Sequence, residues 1–282
     1  MNDAPLDLVV LGAGAIGAGL AACATMAGRR AACVSRTGAV EAVHFAVGDR
    51  DLHVRLSPPA AARVALLAVK SQDAEAALAE HAALVDRCEH LLVARNGLPW
   101  RSGRFARSRH VIVWSCADRI GPTTRWLGRS KLAIERAEAE TTAVFAGEHV
   151  EVLAPDEREF QRLVFAKLMV NASVNPLSAL TGHTPGELLD DPALRERLLA
   201  IAAEIAALAR ALGVADLDPA SVLAACEQMR AFRPSMLQDV DRGRPLETAA
   251  VVDEPLARCR EAAIAAPALG ALARDLAAAR ER

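Results

Sequence analysis

Leu6-Asp7-Leu8-Val9-Val10-Leu11-Gly12-Ala13-Gly14-Ala15-Ile16-Gly17 is the stretch that decides the fold. A run of buried-strand type leads straight into GxGxxG, and an alanine-rich helical stretch follows as far as Gly28. Strand before and helix after is the context that gives this glycine pattern meaning. Each glycine has its own reason. Gly12 permits the tight turn, Gly14 lets backbone approach a pyrophosphate, and Gly17 lets helix and strand pack closely. Ala15 and Ile16 complete the loop. The helix start then offers N–H groups and the positive end of its dipole to phosphate. The expectation is a dinucleotide-binding unit.

Working outward, a second strand is expected over 31–35. An NAD site wants an acid at the end of that strand to hold the ribose 2′-hydroxyl. This chain has Ser35-Arg36-Thr37, and no acid until Glu41. Arginine can grip a 2′-phosphate with two N–H groups, so NADPH is expected over NADH, with an ordinary surface arginine as the alternative. Residues 42–47 and 51–56 flank Gly48-Asp49-Arg50 as a small hairpin. A further apolar strand over 61–69 ends at Lys70, a candidate phosphate contact or a plain surface lysine. The strand over 90–94 stops at Arg95-Asn96-Gly97. Asn96 is thus a candidate neighbour of nicotinamide or substrate, or a simple turn asparagine. A helix over 73–85 and a strand over 110–116 complete an alternation that predicts α/β architecture, a doubly wound parallel sheet.

Composition narrows the function classes. The chain has 282 residues, 52% hydrophobic and 24% charged, which suits two folded domains and excludes disorder. A net charge of −2 gives no electrostatic case for nucleic acid or an anionic membrane surface. Six cysteines are scattered with neither CxxC nor Cys/His ligand spacing, so no metal site and no disulfide framework is expected. With no signal peptide read, a cytoplasmic home is expected. The apolar runs at 6–11 and 60–69 are too short to span a bilayer. Tyrosine is absent, which excludes a tyrosine proton donor.

After Pro155 no strand pattern of any length remains. Residues 157–175, 192–212, 219–229 and 246–266 read as helical, and Pro255 should kink or break the last. The expected domains are therefore 1–154, binding nucleotide, and 155–282, helical. In the second, Lys167, Asn171 and Asn175 recur at i, i+4 and i+8. At about 100° per residue they fall within about 80° of one another on one helix face. Leaving such groups buried without partners costs about 1–3 kcal/mol each, so something polar must face them. Ser235, after Pro234, reads equally as a helix cap, and Glu247 as a first-turn carboxylate.

Together these stretches resemble the ketopantoate reductase (2-dehydropantoate 2-reductase) family. The resemblance rests on GAGAIG at 12–17, Arg36, VKSQD at 69–73, RNGL at 95–98, KLMVNASVNPLSALTG at 167–182, GEL at 186–188 and RPSMLQDVDRGRPLE at 233–247. It implies an NADPH-binding Rossmann domain joined to an all-α domain like the C-terminal part of 6-phosphogluconate dehydrogenase. The implied reaction is reduction of 2-dehydropantoate to pantoate, on the way to pantothenate and coenzyme A. Lys167 would be the general acid, and Glu247 would bind the substrate hydroxyl and fix that lysine. Asn171, Asn175 and Ser235 would hold the substrate, Asn96 would lie near nicotinamide and substrate, and Arg36 with Lys70 would recognise the 2′-phosphate. A homodimer is possible. Departures from the family pattern fall at Arg95, Phe165, Ala249 and Asp253, close to substrate or its packing. They favour as an alternative another small 2-oxo acid; an NADPH-binding sensor without catalysis would need Lys167 or Glu247 to be out of place, and the intact motif argues against it.

Overall fold

The computed structural model describes residues 5–34, 42–47, 50–55, 61–101, 103–120, 123–214 and 217–280. It divides into two compact units: residues 1–95 with 99–160, and residues 96–98 with 161–282.

The first unit is built on a mostly parallel sheet with helices on both faces. Strand β1 (Leu6–Leu11) runs into helix α1 (Ala15–Met26), which returns the chain to β2 (Ala31–Val34). Strands β3 (Ala42–Val47) and β4 (Arg50–Arg55) form the expected antiparallel hairpin. Strand β5 (Ala62–Leu67) precedes α2 (Ala74–Glu80) and α3 (Ala82–Val85), and β6 (His90–Ala94) follows. Then come β7 (Arg109–Ile120), β8 (Thr123–Ile134), α4 (Ala139–Phe145) and β9 (Val150–Leu153). The strand order is β2-β1-β5-β6-β7-β8-β3-β4, with β9 paired to β8. Pairings β1–β2, β1–β5, β5–β6 and β6–β7 are parallel, whereas β7–β8 is antiparallel.

The unbroken apolar run of β1 is explained by burial on both faces. Leu8 and Val10 pack with α1 residues such as Leu20 and Ala21. Val9 and Leu11 pack on the opposite face with Leu78, Leu84 and Val85 of α2 and α3. The doubly wound arrangement is therefore present. Strands β8 and β9 were not expected from the sequence. Their polar and charged positions, such as Arg129, Lys131 and Glu151, are exposed or half-exposed, which hides the apolar pattern a buried strand would show.

The second unit is helical. Its elements are α5 (Glu157–Thr181), α6 (Pro185–Asp190), α7 (Pro192–Ala211), α8 (Ser221–Gln228), α9 (Ser235–Asp241), a π-helical turn (Ala249–Asp253), α10 (Glu254–Glu261) and α11 (Pro267–Arg280). On α7, Leu198, Ile201, Ala202, Ile205, Leu208 and Ala209 are buried at helical spacing, and α6, α8, α10 and α11 pack around it. Two expectations change. Helix α5 does not stop at Pro176 but runs through it to Thr181. The proline forgoes one backbone hydrogen bond, and buried Val174, Leu177 and Ser178 on either side hold the next turn in place. Pro255 does not end the helical path: the chain passes without a gap from the π-helical turn into α10 at Glu254, so the expected disturbance takes the form of a π-to-α change just before the proline. Helix α5 is also long and apolar enough to cross a bilayer by length and composition, unlike the shorter runs considered above. Its most apolar window is 61% buried inside the protein, as a core helix requires.

Candidate active site

The glycine loop supports three distinct jobs at its three positions. Gly12 has φ +113°, and a side chain there would meet the Ala68 carbonyl oxygen and Val69 Cγ1, both at 2.7 Å. A methyl on Gly17 would lie 2.0 Å from the Gly12 carbonyl oxygen, so helix and strand could not close. Around Gly14 nothing lies within 4 Å of such a methyl. Gly14 and Ala15 are exposed, and Ile16 is half-buried. The first N–H bonded back into the helix is that of Ala18, onto the Gly14 carbonyl. No side chain caps this end and no acid sits in the first turn. An open, uncapped and uncharged helix start fits the phosphates of a dinucleotide. Lys70 lies half-buried beyond the carboxyl end of β5, in extended conformation before a 3-10 turn, Ser71–Asp73. Arg36 lies outside the described residues.

In the helical unit, α5 presents Lys167, Asn171 and Asn175, all half-buried, between buried Leu168, Met169, Ala172 and Val174. Asn171 Nδ2 donates to Asn96 Oδ1 at 3.0 Å. Asn96 Nδ2 donates in turn to Glu247 Oε2 at 3.2 Å. A carboxylate only accepts hydrogen bonds, so Glu247 fixes which way the Asn96 amide points, and hence which atom meets Asn171. Lys167 joins this group electrostatically. Burial pulls its ammonium down from the usual lysine value to about 8, and the Glu247 carboxylate pushes the other way. Thus Lys167, Asn171, Asn96 and Glu247, scattered over 152 positions of sequence numbering, form one polar cluster of an ammonium, a carboxylate that favours its charged form, and two amides.

Two expected members are not tied into it. No hydrogen bond among the described residues links Asn175 or Ser235 to the cluster. Ser235 is the exposed first residue of α9. The structure gives packing roles to two residues that the sequence had named without them. Gly97 (φ +88°) sits against the π-helical turn, where a methyl would lie 2.4 Å from the Ala250 carbonyl oxygen. The Asn-Gly dipeptide was the available signal, since it favours positive φ. The other is Arg95, 7% exposed, whose guanidinium lies 3.7 Å from the centroid of the Trp100 ring. Among the remaining departures, Phe165 is buried, Ala249 is exposed, and Asp253 accepts a 3.4 Å hydrogen bond from Thr248 Oγ1. One group of possible metal ligands occurs among the described residues: His90, Glu138 and Glu140, with ligand atoms within 4.8 Å of one another. Both acids are exposed, and Arg109 already forms an ion pair with Glu138.

A doubly wound nucleotide-type unit with a helical unit bearing a lysine–carboxylate cluster defines a class, the two-domain oxidoreductases that use a nicotinamide cofactor. The family model "Ketopantoate reductase PanE/ApbA" matches residues 8–102, and its C-terminal counterpart matches residues 159–280. Together they cover more than half of the chain, which belongs to the ketopantoate reductase family. A 2-dehydropantoate 2-reductase from Mesorhizobium japonicum is 29% identical, over 88% of this chain and 89% of its own. A dimeric ketopantoate reductase from Staphylococcus aureus superposes with a TM-score of 0.82 at 18% identity, covering 96% of this chain and 97% of that one. A D-mandelate dehydrogenase in a ternary structure with NADH and anilino(oxo)acetate gives 0.80 at 16% identity, covering 96% and 97%.

Proposed function

We propose that this chain reduces a small 2-oxo acid with NADPH, and that 2-dehydropantoate is its substrate, giving pantoate. The observation that carries the reading is the Lys167–Glu247 pair with the Asn96 and Asn171 amides beside it. Residues 1–154 would bind the nucleotide and residues 155–282 the substrate. NADPH, when bound, supplies the hydride for the ketone carbon. Every other step falls to the chain. Gly12, Gly14, Ala15, Ile16 and Gly17 receive the pyrophosphate, and Arg36 with Lys70 the 2′-phosphate. Lys167 gives its proton to the oxygen that becomes the alcohol, and its charge stabilises that oxygen as negative charge develops. Glu247 keeps the ammonium charged against the pull of burial. Asn96, Asn171, Asn175 and Ser235 hold the carboxylate and hydroxyl groups, since amides and hydroxyls bind an anion without adding charge. Its six free thiols suit a reducing, cytoplasmic setting, and a homodimer is the proposed assembly, by likeness to the S. aureus protein.

A second reading, a different 2-oxo acid, is favoured by the segment after Glu247, where Ala249 and Asp253 depart from the family pattern. Loss of NADPH absorbance with 2-dehydropantoate, set against a panel of branched and aromatic 2-oxo acids, separates the two. Turnover of 2-dehydropantoate at least tenfold faster in kcat/KM than any other acid supports the first reading. The reverse order establishes the second.

A further inference from the structure

We propose that Gly97 is a positioning residue, whose missing side chain lets the Asn96–Leu98 segment seat on the π-helical turn so that the Asn96 amide aligns the Glu247 carboxylate with Lys167. The proposal rests on the reading of Lys167 as proton donor.

Three observations meet at this point. First, residues 96–98 group with the helical unit, although residues on either side of them belong to the sheet unit. Second, Gly97 has φ +88°, and an added methyl would stand 2.4 Å from the Ala250 carbonyl oxygen and 3.1 Å from its carbon. These are backbone atoms of a buried residue, in a turn that begins two positions after Glu247. A flexible side chain would swing aside; this carbonyl has no such freedom. Third, both ends of the neighbouring Asn96 amide are engaged, one by Asn171 at 3.0 Å and the other by Glu247 at 3.2 Å.

The consequence is mechanical. To regain an ordinary contact of 3.4 Å, the segment would have to retreat by about 1 Å. A shift of that size is large enough to carry a hydrogen bond of 3.0–3.2 Å out of range, so the Asn96 bonds to Asn171 and Glu247 are weakened. Glu247 then loses hold of the Asn96 N–H. Glu247 is also the charged group acting on Lys167 through space, so its displacement leaves burial less opposed and lowers the lysine pKa.

The chain has three lysines, Lys70, Lys131 and Lys167. Protein labelled with 13C-lysine therefore gives three ε-methylene signals, and Lys167→Arg assigns the one of interest. Their titration needs no substrate. Gly97→Ala should raise the ionisation constant of Lys167 about threefold or more, about half a pH unit. Asn96→Ala should act in the same direction, and adding Gly97→Ala to it should change nothing further. Gly213→Ala is the control for backbone strain: Gly213 has φ +82° but open space around it, so Lys167 should titrate as in the parent. The proposal is overturned if Gly97→Ala leaves the midpoint in place, if its effect adds to that of Asn96→Ala, or if Gly213→Ala matches it. Should Gly97→Ala not fold, Asn96→Ala decides alone, and an unmoved midpoint overturns the proposal. Absence of turnover on every 2-oxo acid would sink the reductase reading while leaving this titration fully informative.

Discussion

A lysine held near pKa 8 is poised for proton donation in neutral solution. Burial lowers its value and Glu247 limits the fall, so the ammonium persists at pH 7 yet releases its proton more readily than an exposed lysine. The sign of the pH dependence follows. If Lys167 is the proton donor, ketone reduction needs its charged form, and kcat should decline as pH rises through about 8. Oxidation of the alcohol needs the neutral form and should rise over the same interval. Lys167→Ala should cost on the order of 10²–10⁴ in kcat, the range of general acid–base catalysis, and flatten both limbs. Near-full turnover by that variant would make Lys167 structural. Arg36 poses a separate residue-scale question. If its guanidinium grips the 2′-phosphate, Arg36→Ala should raise the KM for NADPH by about tenfold or more, the worth of a charge-assisted pair, and leave that for NADH nearly unchanged. Equal effects on both cofactors would remove the assignment.

At the scale of elements, legibility followed periodicity. Strand β1, the glycine loop and α1 could be read because a strand buried on both faces is continuously apolar and the loop uses glycine where nothing else fits. The stripe on α5 could be read because helical spacing alone puts Lys167 and Asn171 together. The link from that stripe to Asn96 and Glu247 could not be read from local pattern. It is a tertiary contact across the chain: local pattern marked Asn96 at a strand end and Glu247 in a first turn, but only likeness to a family put them together with Lys167. The π-helical turn likewise leaves no local signature in Ala-Ala-Val-Val-Asp. Helix α11 shows the same limit. Its start is capped from another element: the Glu204 carboxylate on α7 accepts from the Ala268 and Leu269 N–H groups, each at 2.7 Å. This is a helix cap supplied from 64 positions away. Glu204→Ala should destabilise the helical unit by about 1–2 kcal/mol, as loss of an N-cap does, while kcat stays at the parent value. Urea titration by circular dichroism checks it, and a midpoint equal to the parent's would mean that the cap contributes nothing.

For the molecule as a whole, the division into two compact units makes a single unfolding free energy doubtful on physical grounds, because units with separate cores unfold together only when strongly coupled. The tryptophans allow a direct test. Trp100, Trp114 and Trp126 all lie in the sheet unit, and the helical unit has none. Intrinsic fluorescence therefore follows the sheet unit, whereas far-UV circular dichroism is dominated by the helices. In urea the two signals should give different midpoints. Adding NADPH at 100 times its Kd should stabilise the unit that binds it by about 2.7 kcal/mol. If the cofactor is held by the glycine loop, Arg36 and Lys70, the fluorescence transition should move to higher urea by that amount and the dichroism transition by clearly less. Coincident transitions that shift together would mean that the two units unfold as one. A shift confined to dichroism would place nucleotide binding in the helical unit and contradict the role assigned to the loop after β1.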